Sequence, residues 1–278
     1  MEYGLSTRGF SNERLGSRTL DRILQAGFRR LEIFAVRPHL DYCDANRVRD
    51  AAAWFSDHEV SCHALHVPPF AGPERRGGLA ISVAYLERRL RIDSMDEIKR
   101  VLDVAEYLPF GYLVLHLGLD EDYALEKFDA AFTSLEHLRL FGQERGVKLL
   151  LENTRSPLGN PESLLQFLSY TRLEDVGICF DVGHARLTGG VQEPFQAISS
   201  RAASVHLHDN RGEMDDHLMP FDGSMDWAGI VRAFCPAGSA PAFPALLELG
   251  ESVPDATNLQ RLREVVGKLE ALEATPVE

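Results

Sequence analysis

Long apolar runs are missing from this sequence: none approaches the roughly 20 residues that a membrane-crossing helix needs, so no span is expected. Cysteine is scarce too. The chain has four, Cys43, Cys62, Cys179 and Cys235, and no two of them form a CxxC pair. Two sit inside apolar runs, so all are expected to be reduced, partly buried thiols of a cytoplasmic protein. Positive charge is in short supply, with 29 Lys and Arg against 42 Asp and Glu and a net charge of −13. An acidic chain does not attract phosphate backbones at long range, which argues against non-specific nucleic-acid binding. No GxGxxG follows the first apolar run and there is no GxxxxGK[ST], so a nucleotide-binding fold has no support. The opening residues, Met1 to Leu5, lack a basic stretch followed by an apolar one, and no signal peptide is expected. There is no low-complexity tract or linker.

What the chain does have is a recurring unit. Its 278 residues are 45% hydrophobic, enough for one sizeable core. Short apolar runs predict strands at Tyr3–Ser6, Arg30–Ile33, Val60–His66, Tyr112–His116, Val147–Glu152, Val176–Asp181, Ala203–His208 and Ala245–Glu248. Between them, helical spacing predicts helices over 15–26, 46–56, 95–107, 124–143, 161–170, 193–199, 227–234 and 259–272. Ser94 and Asn160 are expected caps, Pro161 a first helical residue, and Gly27 and Gly146 helix stops. Strands alternating with helices imply a parallel sheet. Eight such units at this length favour an α/β fold closed as a single (β/α)8 TIM barrel, with residues 1–278 as one domain.

Barrel active sites lie at the C-terminal ends of the strands. Here those ends carry His66, His116, Glu152, Asp181, His206 and Glu248. Burying such groups is costly unless they are paired or bind metal, and six converging on one rim point to a metal site. Asp181-Val182-Gly183-His184 places an Asp at a strand end and a His one turn later. Strand alternation puts His206 and His208 on one side, and Asp215 and His217 return from the following loop. Asp and His suit zinc, manganese or a similar cation, and carboxylates alone also suit magnesium. His208 is expected to support the ligands or touch substrate, and Asp209 and Asn210 to cap the loop. Glu32 is expected as a substrate contact or a salt-bridge partner. Arg8 and Arg37 are candidates for an anionic substrate. His63 competes with His66 for the third-strand position; Val67-Pro68-Pro69 marks the strand end and favours His66.

These motifs resemble the xylose isomerase-like barrel superfamily, which holds sugar (phosphate) isomerases and epimerases together with endonuclease IV. The resemblance runs from Leu31-Glu32-Ile33-Phe34 to Leu246-Leu247-Glu248. It includes His66-Val67-Pro68, Leu115-His116-Leu117-Gly118, Leu151-Glu152-Asn153 and Phe180 to His184. The most specific piece is Val205 to Trp227, VHLHDNRGEMDDHLMPFDGSMDW, similar to the HLHDN…DxH…G…DW pattern of the isomerase/epimerase branch. Phe221-Asp222-Gly223 departs from it, where relatives often have Gly-Glu-Gly. The resemblance implies that Glu152, Asp181, His206 and Glu248 form the epimerases' metal quartet, with Glu152 and Glu248 moving the proton. It also implies a second metal position at His66, His116 and Glu152, and a third at His184, Asp215 and His217, as in endonuclease IV.

The expected function is a divalent-metal-dependent sugar or sugar-phosphate isomerase or epimerase. It would use one to three Mn, Zn, Co or Mg ions and work through a metal-stabilised enediolate. His208, Glu32 and Arg8 are the expected substrate contacts. One alternative is an endonuclease IV-type zinc phosphodiesterase acting at abasic sites in DNA. The rim loops offer it few basic groups: Arg37 and His39 after the second strand, Arg75 and Arg76 after the third. The other alternative is an inactive barrel acting as a binding module. A homo-oligomer is compatible with the sequence.

Overall fold

The computed structural model describes residues 1–73, 78–119, 127–236, 241–251 and 256–274. Eight parallel strands pair in sequence order and close on themselves: β1 (Tyr3–Ser6), β2 (Arg30–Phe34), β3 (Ser61–His66), β4 (Tyr112–His116), β5 (Lys148–Glu152), β6 (Gly177–Asp181), β7 (Ala202–Leu207) and β8 (Ala245–Leu247). Around them run α1 (Ser17–Gln25), α2 (Ala45–Asp57), α3 (Arg88–Leu102), α4 (Lys127–Gln143), α5 (Pro161–Thr171), α6 (Val182–Thr188), α7 (Gln192–Ile198), α8 (Trp227–Phe234) and α9 (Ala256–Glu273). The fold is a (β/α)8 barrel, as the alternating pattern predicts.

The period-2 alternation of each strand separates two cores. On β5, Leu149 and Leu151 join the large core between barrel and helices, whereas Leu150 joins the cluster inside with Ala64, Val114 and Cys179. Residues two places further on share the inward phase. These are His66, His116, Glu152 and Asp181, one layer above Ala64, Val114, Leu150 and Cys179. The strand that makes the barrel therefore also aims the ionisable residue into its mouth.

Two bulges adjust this phase. Leu31 pairs with Cys62 and Glu32 with Ala64, so His63 is the extra residue of β3. Ile178 pairs with Ala202 and Cys179 with Ser204, which leaves Ala203 extra on β7.

The helix signals fare unevenly. Asn160 caps α5, accepting from the Ser163 N–H at 2.9 Å, and Pro161 opens it. Gly27 and Gly146, at φ 90° and 74°, follow α1 and α4. Ser94 is not a cap. The third helix starts at Arg88, and Ser94 is buried within it, its Oγ accepting from the Ser82 N–H at 3.2 Å. The first turns of α3 are rich in arginine, so apolar periodicity does not reveal them. The expected start of α4 at 124–126 lies outside the described residues, and α6, seven residues long, adds a helix to the expected set. All four cysteines are free thiols; Cys43 is exposed and the other three are buried. Among the described residues, no helix is long and apolar enough to cross a membrane.

Candidate metal centre

The barrel mouth gathers three groups of potential ligands: Glu152, Asp181, His206 and Glu248; His66, His116 and Glu152; and His184, His208, Asp215 and His217. Within each group, one donor atom per residue lies within 4.8 Å of all the others. Donors about 2.0–2.3 Å from a shared ion stand within about 4.6 Å of one another, so the spacing fits a divalent cation. Glu152 belongs to two groups and divides its oxygens between them. Its Oε2 faces His66 Nε2 at 2.8 Å and His116 Nε2 at 3.1 Å, and its Oε1 faces His206 Nδ1 at 3.0 Å. In the third group, Asp215 Oδ2 lies 3.1 Å from both His184 Nε2 and His217 Nε2.

Hydrogen bonds behind the rings set which nitrogen faces inward. The Nδ1–H groups of His66, His184 and His217 donate to the carbonyls of Val67, Asn153 and Glu248 at 2.8, 2.9 and 3.1 Å. A carbonyl only accepts, so Nδ1 keeps its proton in each of these rings and Nε2 is the nitrogen that faces the carboxylates and would ligate a cation. Asp215 Oδ1 is buried without a hydrogen-bond partner among the described residues and is available to a cation. These features fit a metal ion better than a closed network of ion pairs.

Without a cation, the cluster holds its charges by mutual attraction. Burial opposes ionisation of Glu152, but the His206, His116 and His66 rings outweigh it and hold its carboxyl well below the usual range. Burial likewise opposes protonation of His66, yet Glu152 raises its pKa to about 9. His184 and His206 are raised further by neighbouring acids against the same burial penalty. His217 is lowered by burial and by the adjacent His208.

Four local devices position these ligands. Asn153 accepts from the Asp181 N–H at 2.8 Å and donates to the Asp181 carbonyl at 2.9 Å, locking β5 to the end of β6. Asp181 then caps α6 by accepting from the His184 N–H at 2.7 Å. Gly183 is required where it stands, because a Cβ there would lie 1.9 Å from the His208 ring. Asp209 anchors the β7–α8 loop: its buried carboxylate accepts from the N–H groups of Asn210, Phe221 and Met225 and from Trp227 Nε1. Asp209 and Leu218 also exchange backbone hydrogen bonds at 2.8 and 2.9 Å, folding the loop back so that it presents Asp215 and His217. Phe221 sits at φ 76°, a left-handed conformation that favours glycine. The anchoring role of Asp209 and the bridging role of Asn153 leave only a faint sequence signal: a polar residue directly beside each ligand segment.

The remaining expected residues divide. Arg8 lines the cavity, donating from Nη1 to the Leu249 carbonyl at 3.2 Å, with Nε 4.0 Å from Glu248 Oε1. Glu32 and His208 do not reach the cavity. Both are fully buried: Glu32 stands behind His206, and His208 packs against both Asp181 oxygens at 3.0 Å while keeping within donor distance of the third group. His63 is not brought to the centre; the bulge leaves it beside Arg30 and Tyr112, and burial lowers its pKa to about 4. Arg37 is tied to Asp41 at 3.1 Å. Arg75 and Arg76 lie outside the described residues.

Over the centre lies a cavity of about 190 Å³. One wall is apolar, built from Phe34, Val67, Ile81, Val83, Ile98 and Leu115. The other carries His66, His116, Glu152, His184, Asp215, His217 and Glu248.

Comparison with known proteins agrees with this architecture. Residues 20–243 match the xylose isomerase-like TIM barrel family, and the chain belongs to it. The uncharacterised protein MJ1311 of Methanocaldococcus jannaschii is 28% identical over 243 residues, covering 84% of this chain and 78% of that protein. A probable endonuclease 4 of Natronomonas pharaonis is 28% identical over 200 residues, 63% of this chain and 70% of that protein. Among solved structures, a D-tagatose 3-epimerase-like protein aligns with a TM-score of 0.80 at 24% identity, covering 98% of each chain. The IOLI protein with a bound zinc atom aligns with a TM-score of 0.79 at 17% identity, covering 100% of each chain. At these identities the two structures speak for the fold.

Proposed function

We propose that the chain is a single barrel domain acting as a divalent-metal-dependent isomerase or epimerase of a small sugar or sugar phosphate. The observation that carries this reading is the pairing of Glu152 and Glu248 on either side of His206. The His206 Nδ1 lies 3.0 Å from Glu152 Oε1 and 3.6 Å from Glu248 Oε2, beneath a cavity of small-molecule size. Moving a proton to and from carbon next to a carbonyl needs a base on one side, an acid on the other and stabilisation of developing negative charge. Glu152, Asp181, His206 and Glu248 would hold the principal ion; when bound, it supplies a Lewis acid for the substrate oxygens. The two glutamates trade the proton. The apolar wall excludes water from the reacting carbon, and Arg8 faces any anionic group near β8.

The test is solvent-deuterium incorporation into a panel of ketoses and ketose phosphates by metal-loaded protein. Glu152→Gln and Glu248→Gln are each expected to cut exchange by at least about 100-fold with the fold intact, the scale of losing a general acid or base. Full exchange in either variant would sink the assignment.

A second reading has its own observation. An epimerase needs only the quartet, yet the other two groups are complete as well, as a three-ion phosphodiesterase requires. Cleavage of abasic-site DNA by protein that exchanges no deuterium into any sugar would decide for it. The salt bridge that occupies Arg37 weakens this reading, because a duplex clamp draws on free basic groups.

A further inference from the structure

His206 is held differently from its neighbours. The rings of His66, His184 and His217 are fixed by main-chain carbonyls. His206 instead places Nε2 3.0 Å from a carboxylate oxygen, Glu32 Oε2, reaching across from β2 to β7. It is thereby reversed relative to those three, presenting Nδ1 rather than Nε2 to the ligand cluster. Both side chains are fully buried, and the other Glu32 oxygen, Oε1, has no hydrogen-bond partner among the described residues. A buried carboxylate is expensive to keep. One whose single side-chain hydrogen bond among the described residues runs to one imidazole is poorly explained by stability alone.

We infer that Glu32 is a positioning residue for the quartet: its carboxylate holds the Nε2–H of His206, commits Nδ1 to the metal seat, and makes that nitrogen a stronger donor. A carboxylate behind a ligating imidazole raises its basicity beyond what a carbonyl achieves, and losing such a partner costs about 10- to 100-fold in metal affinity. The effect falls on the ion flanked by Glu152 and Glu248. The inference rests on the quartet being a metal seat and not on which reaction it serves.

The experiment uses full-length protein with ¹⁵N-labelled histidine, together with zinc competition against a chromogenic chelator. In the wild type, His206 is expected to carry its proton on Nε2 and zinc on Nδ1. Glu32→Gln keeps an acceptor oxygen but loses the charge, so the same tautomer should persist while one zinc binds about tenfold more weakly. Glu32→Ala removes both, and mixed tautomers and a loss approaching 100-fold are expected. The His66 and His184 resonances should stay unchanged in both, reporting an intact fold. Zinc on Nε2 of His206 in the wild type would overturn the inference. So would wild-type affinity in Glu32→Gln, which alone suffices if Glu32→Ala does not fold. A wild type that exchanges no deuterium into sugars leaves these readouts intact, so failure of the proposed reaction is separable from failure of this assignment.

Discussion

His66 and His63 lie three residues apart on β3 and titrate in opposite directions. In the metal-free protein, His66 has its pKa raised to about 9 by Glu152, against the cost of burial. Its contribution to stability is present in full below about pH 6.5, the ordinary histidine value, and is lost as the pH climbs through 9. Burial lowers His63 to about 4, so its neutral form is stable above pH 6.5 and becomes a liability as the pH falls toward 4. The metal-free protein should therefore be most stable near pH 6.5. Zinc reverses the alkaline limb, because ligating histidines must give up their protons and affinity rises with pH. Urea melts at pH 5.5, 6.5 and 8.5, with and without zinc, check this. Metal-free protein more stable at pH 8.5 than at 6.5 would contradict it.

The strands were the most legible elements, because one alternation both builds the barrel and aims its ligands. Glu152 is in phase with Leu150, and His116 with Val114, so alternation alone aims them into the barrel. Helix ends were less legible. Seven residues of α3 precede Met95 without an apolar stripe, and Ser94 serves the packing of Ser82 rather than a helix start. For Glu32 and His208 the alternation leaves two roles open, substrate contact or support, since period 2 gives the direction of a side chain and not what stands in front of it; Glu32 pairs with His206 and His208 with Asp181. The β7–α8 loop was read through its resemblance, while its anchor at Asp209 depends on contacts up to 18 residues away. The turn from β6 into α6 offers a test at this scale. Gly183→Ala drives a methyl into the His208 ring. It should displace His184 and weaken zinc at the third group by about tenfold, with little change in far-UV circular dichroism. Unaltered zinc binding would show that the ring has room to retreat.

Taken whole, the molecule concentrates its buried charge at one end of a closed barrel while its net charge is −13. A cation bound there relieves repulsion among the carboxylates as well as filling a site. Stripping with chelator should lower the melting temperature by several degrees, and saturating zinc should restore it. Elemental analysis reads the uptake: one ion per chain is expected if the quartet alone serves an isomerase, and three would favour the phosphodiesterase reading. The divided carboxylate of Glu152 has one more consequence. A side chain that must keep one oxygen in each of two groups cannot favour one ion without fixing the other's seat. Binding of either then alters binding of its neighbour by the same factor, since such coupling is reciprocal. The two seats should load as a coupled pair, each ion's affinity depending on whether the other is already in place.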